Sequence, residues 1–331
     1  MNNFSDFNII GKKSDLQILK SERKKSLRSA HAEGTRRNMK TQWKSFFLFC
    51  FYFKLSPLPC NLETLCLFAQ FLSRSLNSVD SIRNYLYGVK FLHLFDLPFT
   101  HFETFYFKLF MKGLRRCNPH AVKAALPITP DILLKMKNII NFNDSNMFTY
   151  WCLCLFSFFL MCRKSNLVGK MDDPSKCLKR KDVLSNGNYL LVKFLWSKTI
   201  QFGERCLEIP WFSKPSSPLC PVKAFRKMCK KFQLSDDSPA FVVYSKGHLK
   251  PVYYSMFQSF IKRTISDIGL NPEDYSTHSF RRGGASWAFK CNIPSELIQL
   301  QGDWKSDAYK LYLKHGLEEK LSVSYKMIRD L

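Results

Sequence analysis

The chain has 331 residues, enough for one large domain or two ordinary ones, and its 46% hydrophobic content excludes a disordered protein. Lys and Arg total 51 against 26 Asp and Glu, a formal net charge of +25 at pH 7. Residues 1–126 carry +12 and the remainder +13, so the excess is not one detachable tail. A charge spread in this way favours a polyanionic partner, nucleic acid above all, over a basic protein without such a partner.

The cysteine pattern favours a reduced, metal-free protein. Twelve cysteines are scattered along the chain without paired C-x2-C spacing, which is typical neither of a disulfide scaffold nor of a closed zinc site. Polar residues rather than an apolar signal segment follow Met1. We therefore expect reduced thiols, mostly buried, and no bound metal.

The first part of the chain predicts a helical domain. Residues 1–15 are interpreted as a loose leader, and residues 16–44 are strongly basic. From Thr35 the apolar residues recur with helical spacing, including Trp43, Phe46, Phe47 and Phe51. Further helices are predicted over Asn61–Leu76, where Asn61 is the N-cap, over Ser81–Leu94 and over Thr100–Leu114. The predicted all-α domain spans residues 16–114.

Residues 115–128 predict a basic linker that contains turn formers and Pro127. Basic residues here and in the helical domain are candidate phosphate contacts, although each one by itself fits a solvated charge equally well. These candidates are Lys40, Lys44, Lys112, Arg115, Arg116 and Lys123.

The predicted second domain, residues 129–331, begins at Thr129-Pro130-Asp131, which combines an N-cap, a first-turn proline and an acid that suits the helix dipole. Met147–Cys162 carries no charge, but its 16 residues are fewer than the ~20 that span a bilayer, so we predict a buried helix. Asn186-Gly187 indicates a hairpin with flanking strand candidates Tyr189–Trp196 and Arg205–Trp211. Leu317–Leu331 predicts an amphipathic C-terminal helix.

Two motifs near the end of the chain could carry chemistry. His278 and Arg281 share one helix face, and a neutral imidazole with a guanidinium fork suits phosphoryl transfer. Trp304 could donate its indole N–H to a phosphate oxygen, and Tyr312 could act as a phenolic nucleophile. Taken singly, the first motif fits a solvated helix face and the second fits ordinary aromatic packing.

The order of the motifs carries more information than any one of them. Six positions follow one another along the chain: Arg163, Lys198 in a turn between predicted strands, His278, Arg281, Trp304 and Tyr312. This order resembles the tyrosine recombinase, or phage integrase, family over residues 129–320. The phrases HSFRRGGAS and GDWKSDAYKLYL are most similar to the recombinases of DIRS-type retrotransposons and Crypton-like eukaryotic mobile elements.

The chain departs from that family pattern in small ways. Arg282, another candidate DNA contact, stands where many members have His, and Asn166 stands where many have an acid. Trp304 replaces the commoner His. Tyr312 follows it by eight residues where nine is common, so Tyr309 is a rival nucleophile, and we favour Tyr312 for its later position.

The resemblance implies a mainly α fold, with an all-α core-binding domain and an α+β catalytic domain that contains a small antiparallel β-sheet. It implies that Tyr312 attacks a DNA phosphate to give a 3′-phosphotyrosyl link, that Arg163, Arg281 and Trp304 bind the phosphate, that Lys198 is the general acid, and that His278 assists. No ATP, metal or other cofactor is implied. Double-stranded DNA is the implied partner, with tetramer assembly on DNA, no membrane association, and a nuclear location in a eukaryote or a cytoplasmic one otherwise.

Two other functions compete with a site-specific recombinase. A DNA-binding protein domesticated from a mobile element could keep the fold without strand exchange, although all six positions are intact. A type IB topoisomerase shares the chemistry, but the compact helical region and the mobile-element-like phrases favour a recombinase.

Overall fold

The computed structural model describes residues 13–93, 101–120, 125–169 and 176–313, together with residues 321, 325 and 327–329. The chain divides into two units, Met1–Lys123 and Ala124–Leu331. Each unit has its own cluster of buried hydrophobic residues.

In the first unit the described residues form helices joined by short turns. They are α1 (Lys13–Ser29), α2 (Glu33–Tyr52), α3 (Leu62–Leu72), α4 (Val79–His93) and α5 (Phe105–Cys117).

The core of the first unit follows a helical period that the sequence reveals only in part. In α2 the buried residues are Phe46, Phe49 and Cys50. Phe51, which was predicted to share the face of Phe46, is 85% exposed, so the buried face is rotated from the predicted one by part of a turn. Asn61 does cap α3, because its side chain accepts from the Thr64 N–H at 2.7 Å, as predicted. Caps of this kind satisfy one of the free N–H groups at a helix start.

The boundaries of the first unit also differ in detail from the sequence prediction. Helix α1 begins at Lys13, inside the predicted leader, and residues 1–12 lie outside the described residues. Helix α5 continues to Cys117, so Arg115 and Arg116 lie on its last turn rather than in a linker. Buried Leu114 anchors that turn, and the Asn118 side chain donates to its carbonyl at 3.0 Å.

The second unit is mixed α and β. Its helices are α6 (Pro130–Ile139), α7 (Ser145–Phe159), α8 (Lys164–Leu167), α9 (Pro221–Lys231), α10 (Tyr254–Asp267), α11 (Thr277–Lys290) and α12 (Ser295–Gln301), followed by a 3-10 helix over Asp307–Tyr312. Its strands are β1 (Val183–Ser185), β2 (Tyr189–Phe194), β3 (Leu207–Phe212), β4 (Val242–Ser245) and β5 (His248–Pro251).

The strands form two small antiparallel sheets, one with the order β1-β2-β3 and one with β4-β5. The Asn186 turn connects β1 to β2, not the two strands predicted around it, because three-residue β1 is too short to show alternation in the sequence. Strand β3 pairs with β2, with Phe194 opposite Leu207, and the intervening turn carries Lys198.

Helix α7 is the centre of this unit, as the apolar segment predicted. Every residue from Trp151 to Phe158 is buried, and the helix packs on α9, α11 and β4. Among the residues that the structure describes, no helix combines the length and hydrophobicity needed to cross a bilayer. The predicted C-terminal helix, Leu317–Leu331, lies largely outside the described residues.

Two adjacent glycines let α11 lie directly against its neighbours. A Cβ on Gly283 would overlap the carbonyl oxygen of Ile128, and one on Gly284 would overlap the carbonyl oxygen of Phe158 near the end of α7. Both obstacles are backbone atoms, which cannot rotate away as a side chain could. Gly284 therefore sets the distance between α7 and α11, Gly283 sets the distance between α11 and the segment at Ile128, and together they fix the position of Arg281.

We expect Gly284→Ala to lower the free energy of unfolding by about 1–3 kcal/mol, the usual cost of overpacking, because α11 must move away from α7. Urea denaturation followed by tryptophan fluorescence measures this, since five of the six tryptophans lie in the second unit. Gly187→Ala is the matched control, because no atom lies within 4 Å of its Cβ position. Equal stability of the two variants would contradict close α7–α11 packing.

Candidate active site

Helix α11 positions His278 and Arg281 through a capping box at its start. The Ser276 side chain accepts from the His278 N–H at 3.2 Å, and the Ser279 hydroxyl accepts from the Ser276 N–H at 3.0 Å. These bonds satisfy N–H groups that have no partner inside the helix. The helix therefore begins at Thr277 and holds the two predicted site residues three positions apart on one side.

Arg281 is buried although it is charged, with 1% of its surface exposed. Its Nη1 donates to the carbonyl oxygen of Met161, and its guanidinium carbon lies 3.7 Å from the centre of the Trp304 ring. Its Nη2 is also buried, and no described residue hydrogen-bonds to it. Burial and the nearby charge of Arg163 lower the pKa of Arg281 to about 9. A buried N–H group without a hydrogen-bond partner among the described residues is energetically costly.

Arg163 follows α7 by a short turn rather than ending the helix itself. Helix α7 ends at Phe159, and Met161 has a positive φ of 47°, which turns the chain so that its carbonyl meets Arg281. Arg163 then occupies the N-cap position of α8, where it makes two contacts with Asp303. Its Nη1 lies 3.6 Å from the Asp303 carboxylate, and its Nη2 donates to the Asp303 carbonyl at 3.4 Å.

Tyr312 lies directly beside His278. Its hydroxyl is 2.9 Å from the Nε2 of His278, and its carbonyl accepts from the Ser286 hydroxyl at 2.7 Å. The guanidinium of Arg282 lies 5.1 Å from the centre of the Tyr312 ring, within the range of a cation–π interaction. The phenol is thus held at the imidazole by helix α11 from two directions.

Tyr309 occupies a different environment. It is 2% exposed and packs in a small hydrophobic cluster, with its ring centre 5.8 Å from that of Trp304. Trp304 also faces Tyr312, at 6.1 Å between ring centres. Of the two tyrosines, Tyr312 has its hydroxyl beside His278, whereas Tyr309 is a buried residue of the hydrophobic cluster.

Lys198 is the predicted site residue that the structure brings least close. It lies on the tight turn between β2 and β3, where its carbonyl accepts from the Gln201 side chain at 2.7 Å, and its side chain is exposed. The residues on either side, Ser197 and Thr199, both hydrogen-bond to the carboxylate of Asp303. The turn is therefore tied to the site even though the lysine amine extends into solvent.

Sequence reasoning missed several residues of this site. Asp303 forms ion pairs with Arg205 and with Arg163. The amine of Lys164 lies 3.2 Å from the centre of the Tyr254 ring. Burial lowers the pKa of Lys164. Asp303 directly precedes Trp304 in the sequence, and Lys164 directly follows Arg163. Their position beside predicted site residues was a weak signal that they belong to the site. Arg205 carried no such signal, because its role depends on how β3 folds back.

The imidazole of His278 is surrounded by positive charge. Partial burial and the charges of Arg281, Arg282 and Arg163 lower its pKa to about 4. At pH 7 His278 is therefore neutral, with one ring nitrogen able to accept a hydrogen bond and the other able to donate. A neutral imidazole beside a phenol can take up the phenolic proton.

The candidate DNA contacts fall into two groups. Those of the first unit lie on α2 and α5 and have exposed side chains: Lys40, Lys44, Lys112, Arg115 and Arg116. Arg115 is ion-paired with Asp80 at 2.6 Å, so it is already partly neutralised. Lys123 lies outside the described residues. In the second unit Arg282 adjoins Tyr312 within the site itself.

The fold of the chain matches solved structures, whereas its sequence matches neither a family model nor a curated protein. An integrase of the transposon Tn1549, solved with transposon right end DNA, has a TM-score of 0.61 at 11% identity, covering 93% of this chain and 98% of that one. Lambda integrase bound to a core site has 0.56 at 16% identity, covering 88% and 94%. The XerH site-specific recombinase bound to palindromic difH has 0.52 at 13% identity, covering 80% and 69%.

This chain has the tyrosine recombinase fold. The Tn1549 and lambda integrase structures match 93% and 88% of this chain, so each match extends over both the helical first unit and the α+β second unit. The predicted fold class, mainly α with a small antiparallel sheet, is confirmed. In this fold four of the six predicted positions, His278, Arg281, Trp304 and Tyr312, are linked by direct side-chain contacts. Arg163 joins them through Asp303, the sequence neighbour of Trp304. Within the described ranges, Cys, His, Asp and Glu side chains form no group of three that could hold a metal ion.

The electrostatics of His278 can be tested directly in the DNA-free protein. We expect its imidazole to titrate near pH 4 in an NMR titration, compared with about 6.5 in an unfolded chain. Because the folded state binds this proton less readily than the unfolded state, the stability of the protein falls as pH drops from about 6.5 towards 4. His278→Gln should weaken that pH dependence, and a midpoint for His278 at or above 6.5 would contradict the described cluster of cations.

Proposed function

We propose that this protein is a site-specific DNA recombinase or integrase that cuts and rejoins DNA through a covalent bond to Tyr312. The observation that carries this proposal is the 2.9 Å contact between the Tyr312 hydroxyl and His278, placed beside the buried guanidinium of Arg281. A protonated tyrosine hydroxyl is a weak nucleophile, so its attack on a phosphodiester needs both a base and concentrated positive charge.

The phosphate is bound by the guanidinium groups in the proposed mechanism. Arg163 and Arg281 stabilise the charge that builds on the non-bridging oxygens in the transition state, and the Trp304 indole adds a directional donor. Arg281 is almost inaccessible in the DNA-free protein, so a phosphate can reach its free N–H group only after a neighbouring side chain moves. Binding of DNA is therefore coupled to a local rearrangement of the site.

The contact between Tyr312 and His278 supports the covalent step that we propose, and the family resemblance supplies the role of Lys198. The Tyr312 oxygen attacks phosphorus, its proton passes to His278, and the bond from phosphorus to the 5′-oxygen breaks. The bound phosphodiester brings a negative charge next to His278, which raises the pKa of His278 above its DNA-free value. Lys198 protonates the leaving 5′-oxygen. Attack by the 5′-hydroxyl of another strand reverses the step and releases Tyr312.

The finer classification rests on the sequence. The phrases around Arg281 and Tyr312 support a source in a DIRS-type or Crypton-like mobile element, which would place the protein in a nucleus. Assembly as a tetramer on DNA is proposed from the same family resemblance. The DNA-bound state of the Tn1549, lambda and XerH structures supports duplex DNA as the substrate.

Substitution of the proposed nucleophile tests the central step. We expect Tyr312→Phe to abolish a covalent protein–DNA adduct on nicked duplexes, whose short 5′-hydroxyl fragment diffuses away after cleavage and traps the adduct. Because the target sequence is not defined, a pool of nicked duplexes with randomised sequence serves as the probe. Adducts are isolated in detergent, and mass spectrometry identifies the modified peptide.

Tyr309→Phe is the matched control for this substitution. Tyr309 is three residues away and buried against Trp304, so loss of its hydroxyl should leave adduct formation within about threefold of the unsubstituted protein. An adduct on Tyr309, or one that survives in Tyr312→Phe, would overturn the assignment. DNA binding without any adduct in the unsubstituted protein would favour a DNA-binding protein that lacks strand exchange.

Salt dependence tests the electrostatic part of the proposal. If the protein neutralises six or more phosphates, its affinity for duplex DNA should fall roughly 10³-fold or more between 50 and 200 mM salt. Lys40→Gln together with Lys44→Gln should reduce the slope of log K against log salt by about two.

Lys262→Gln controls for the loss of charge, because the amine of Lys262 is already bound within the protein by the Pro272 carbonyl at 2.7 Å and by Glu273 at 3.0 Å. The slope should not change in this variant. A flat salt titration of the unsubstituted protein would contradict binding through phosphates.

A further inference from the structure

Asp303 is a buried carboxylate at the point where the phosphate-binding side of the site meets the Lys198 turn. It is 8% exposed, and it lies between Gly302 and Trp304 in the chain. Neither composition nor spacing singled it out. Its contacts, however, reach three separate segments of the second unit: the turn after α7, the turn between β2 and β3, and the start of β3.

The two carboxylate oxygens divide these partners between them. Oδ1 accepts from the guanidinium of Arg205. Oδ2 accepts from the hydroxyls of Thr199 and Ser197, the latter at 3.3 Å, and lies 3.6 Å from Arg163. Charge-assisted hydrogen bonds of this kind are stronger than neutral ones, and because they are buried, solvent screens them little.

The backbone conformation of Asp303 is one that most residues with a side chain avoid. Its φ is +54°, a region that glycine adopts without cost and that only a few other residues, Asp and Asn among them, tolerate. Its N–H donates to the Leu300 carbonyl at 3.1 Å and closes the turn that follows α12. Glycine would serve this turn with less strain, so the carboxylate is retained for what it binds.

The carboxylate is held in its ionised form. Burial by itself raises the pKa of Asp303, but the hydrogen bonds from Thr199 and Arg205 and the charges of Arg205 and Arg163 outweigh it, and the pKa lies below its ordinary value. Asp303 therefore adds a fixed negative charge to a site that is otherwise strongly positive.

We infer that Asp303 is a positioning residue that couples the turn carrying Lys198 to the phosphate-binding Arg163. Thr199 and Ser197 flank Lys198, so their bonds to the carboxylate fix the turn from both sides of the lysine. The same carboxylate and its own carbonyl fix Arg163. The inference rests on the proposed function, since it assumes that Lys198 protonates the leaving oxygen.

The experiment measures single-turnover cleavage of a nicked duplex selected with the unsubstituted protein, with two different leaving groups. One substrate has the ordinary 5′-oxygen at the cleaved bond, and the other has sulfur in its place. A thiol has a pKa near 8.5, so a thiolate leaves without a proton from a general acid. The sulfur substrate therefore reports every function of the site except protonation of the leaving group.

Thr199→Val removes one of the two side-chain hydrogen bonds between the turn and Asp303, leaves the bond from Ser197, and does not touch Arg163. We expect it to slow cleavage of the oxygen substrate roughly tenfold, at the low end of what general acid–base assistance contributes, with little effect on the sulfur substrate. Lys198→Met should show the same selective rescue by sulfur, to a larger extent. Asp303→Asn should slow both substrates, the oxygen substrate more, because it releases Arg163 as well as the turn.

Asp307→Asn is the matched control, since Asp307 is exposed, pairs only locally with Lys310 at 2.9 Å, and should leave both rates unchanged. Thermal unfolding of each variant identifies loss of fold, and if Asp303→Asn does not fold, Thr199→Val decides the question. Equal slowing of the two substrates by Thr199→Val, or no slowing, would overturn the inference. Absence of sulfur rescue in Lys198→Met would also overturn it while the proposed function stands. Failure of the proposed function is recognised separately, by the lack of a Tyr312 adduct in the unsubstituted protein.

Discussion

The burial of Arg281 is the constraint on which the site depends. Its guanidinium is fixed between the carbonyl oxygen of Met161 and the ring of Trp304, and these two residues come from opposite ends of the second unit's sequence. That placement requires α11 to lie directly against α7, which Gly284 permits. A charged group is buried at a cost unless it is paired, and the Nη2 of Arg281 has no hydrogen-bond partner among the described residues.

The charges around Arg281 explain the states of the other groups. Partial burial and the charges of nearby arginines lower the pKa of His278, so the imidazole is neutral at pH 7 beside the Tyr312 hydroxyl. The negative charge of Asp303 partly neutralises the positive charges of Arg163 and Arg205, and in the described structure Asp303 does not contact Tyr312 or His278. The site thus contains a neutral His278–Tyr312 pair and, apart from it, the charged contacts of Asp303 with Arg163 and Arg205.

The comparisons with solved structures concern the fold, and the chemistry depends on the side chains of this chain. At 11–16% identity the Tn1549 and lambda integrases share the arrangement of helices and sheet, while few side chains are the same. The proposed reaction is therefore drawn from the contacts of Tyr312, His278, Arg281 and Arg163 themselves. The likeness itself establishes the fold, and a fold does not by itself determine the chemistry.

The sequence by itself determined the local features whose physics is local. The Asn61 and Thr129 caps, the buried helix around Trp151 and the spacing of His278 and Arg281 depend on neighbours within a few residues, and all are found in the structure. Short strand β1 and the end of α5 were not predicted, because three residues show no alternation and a helix end depends on what anchors it. Only the tertiary structure shows that Tyr309 is buried against Trp304 while the hydroxyl of Tyr312 lies at His278, because both placements arise from packing between distant segments. Only tertiary structure, likewise, revealed Asp303, because its role comes from segments about 100 and 140 residues away in sequence whose convergence no local pattern encodes.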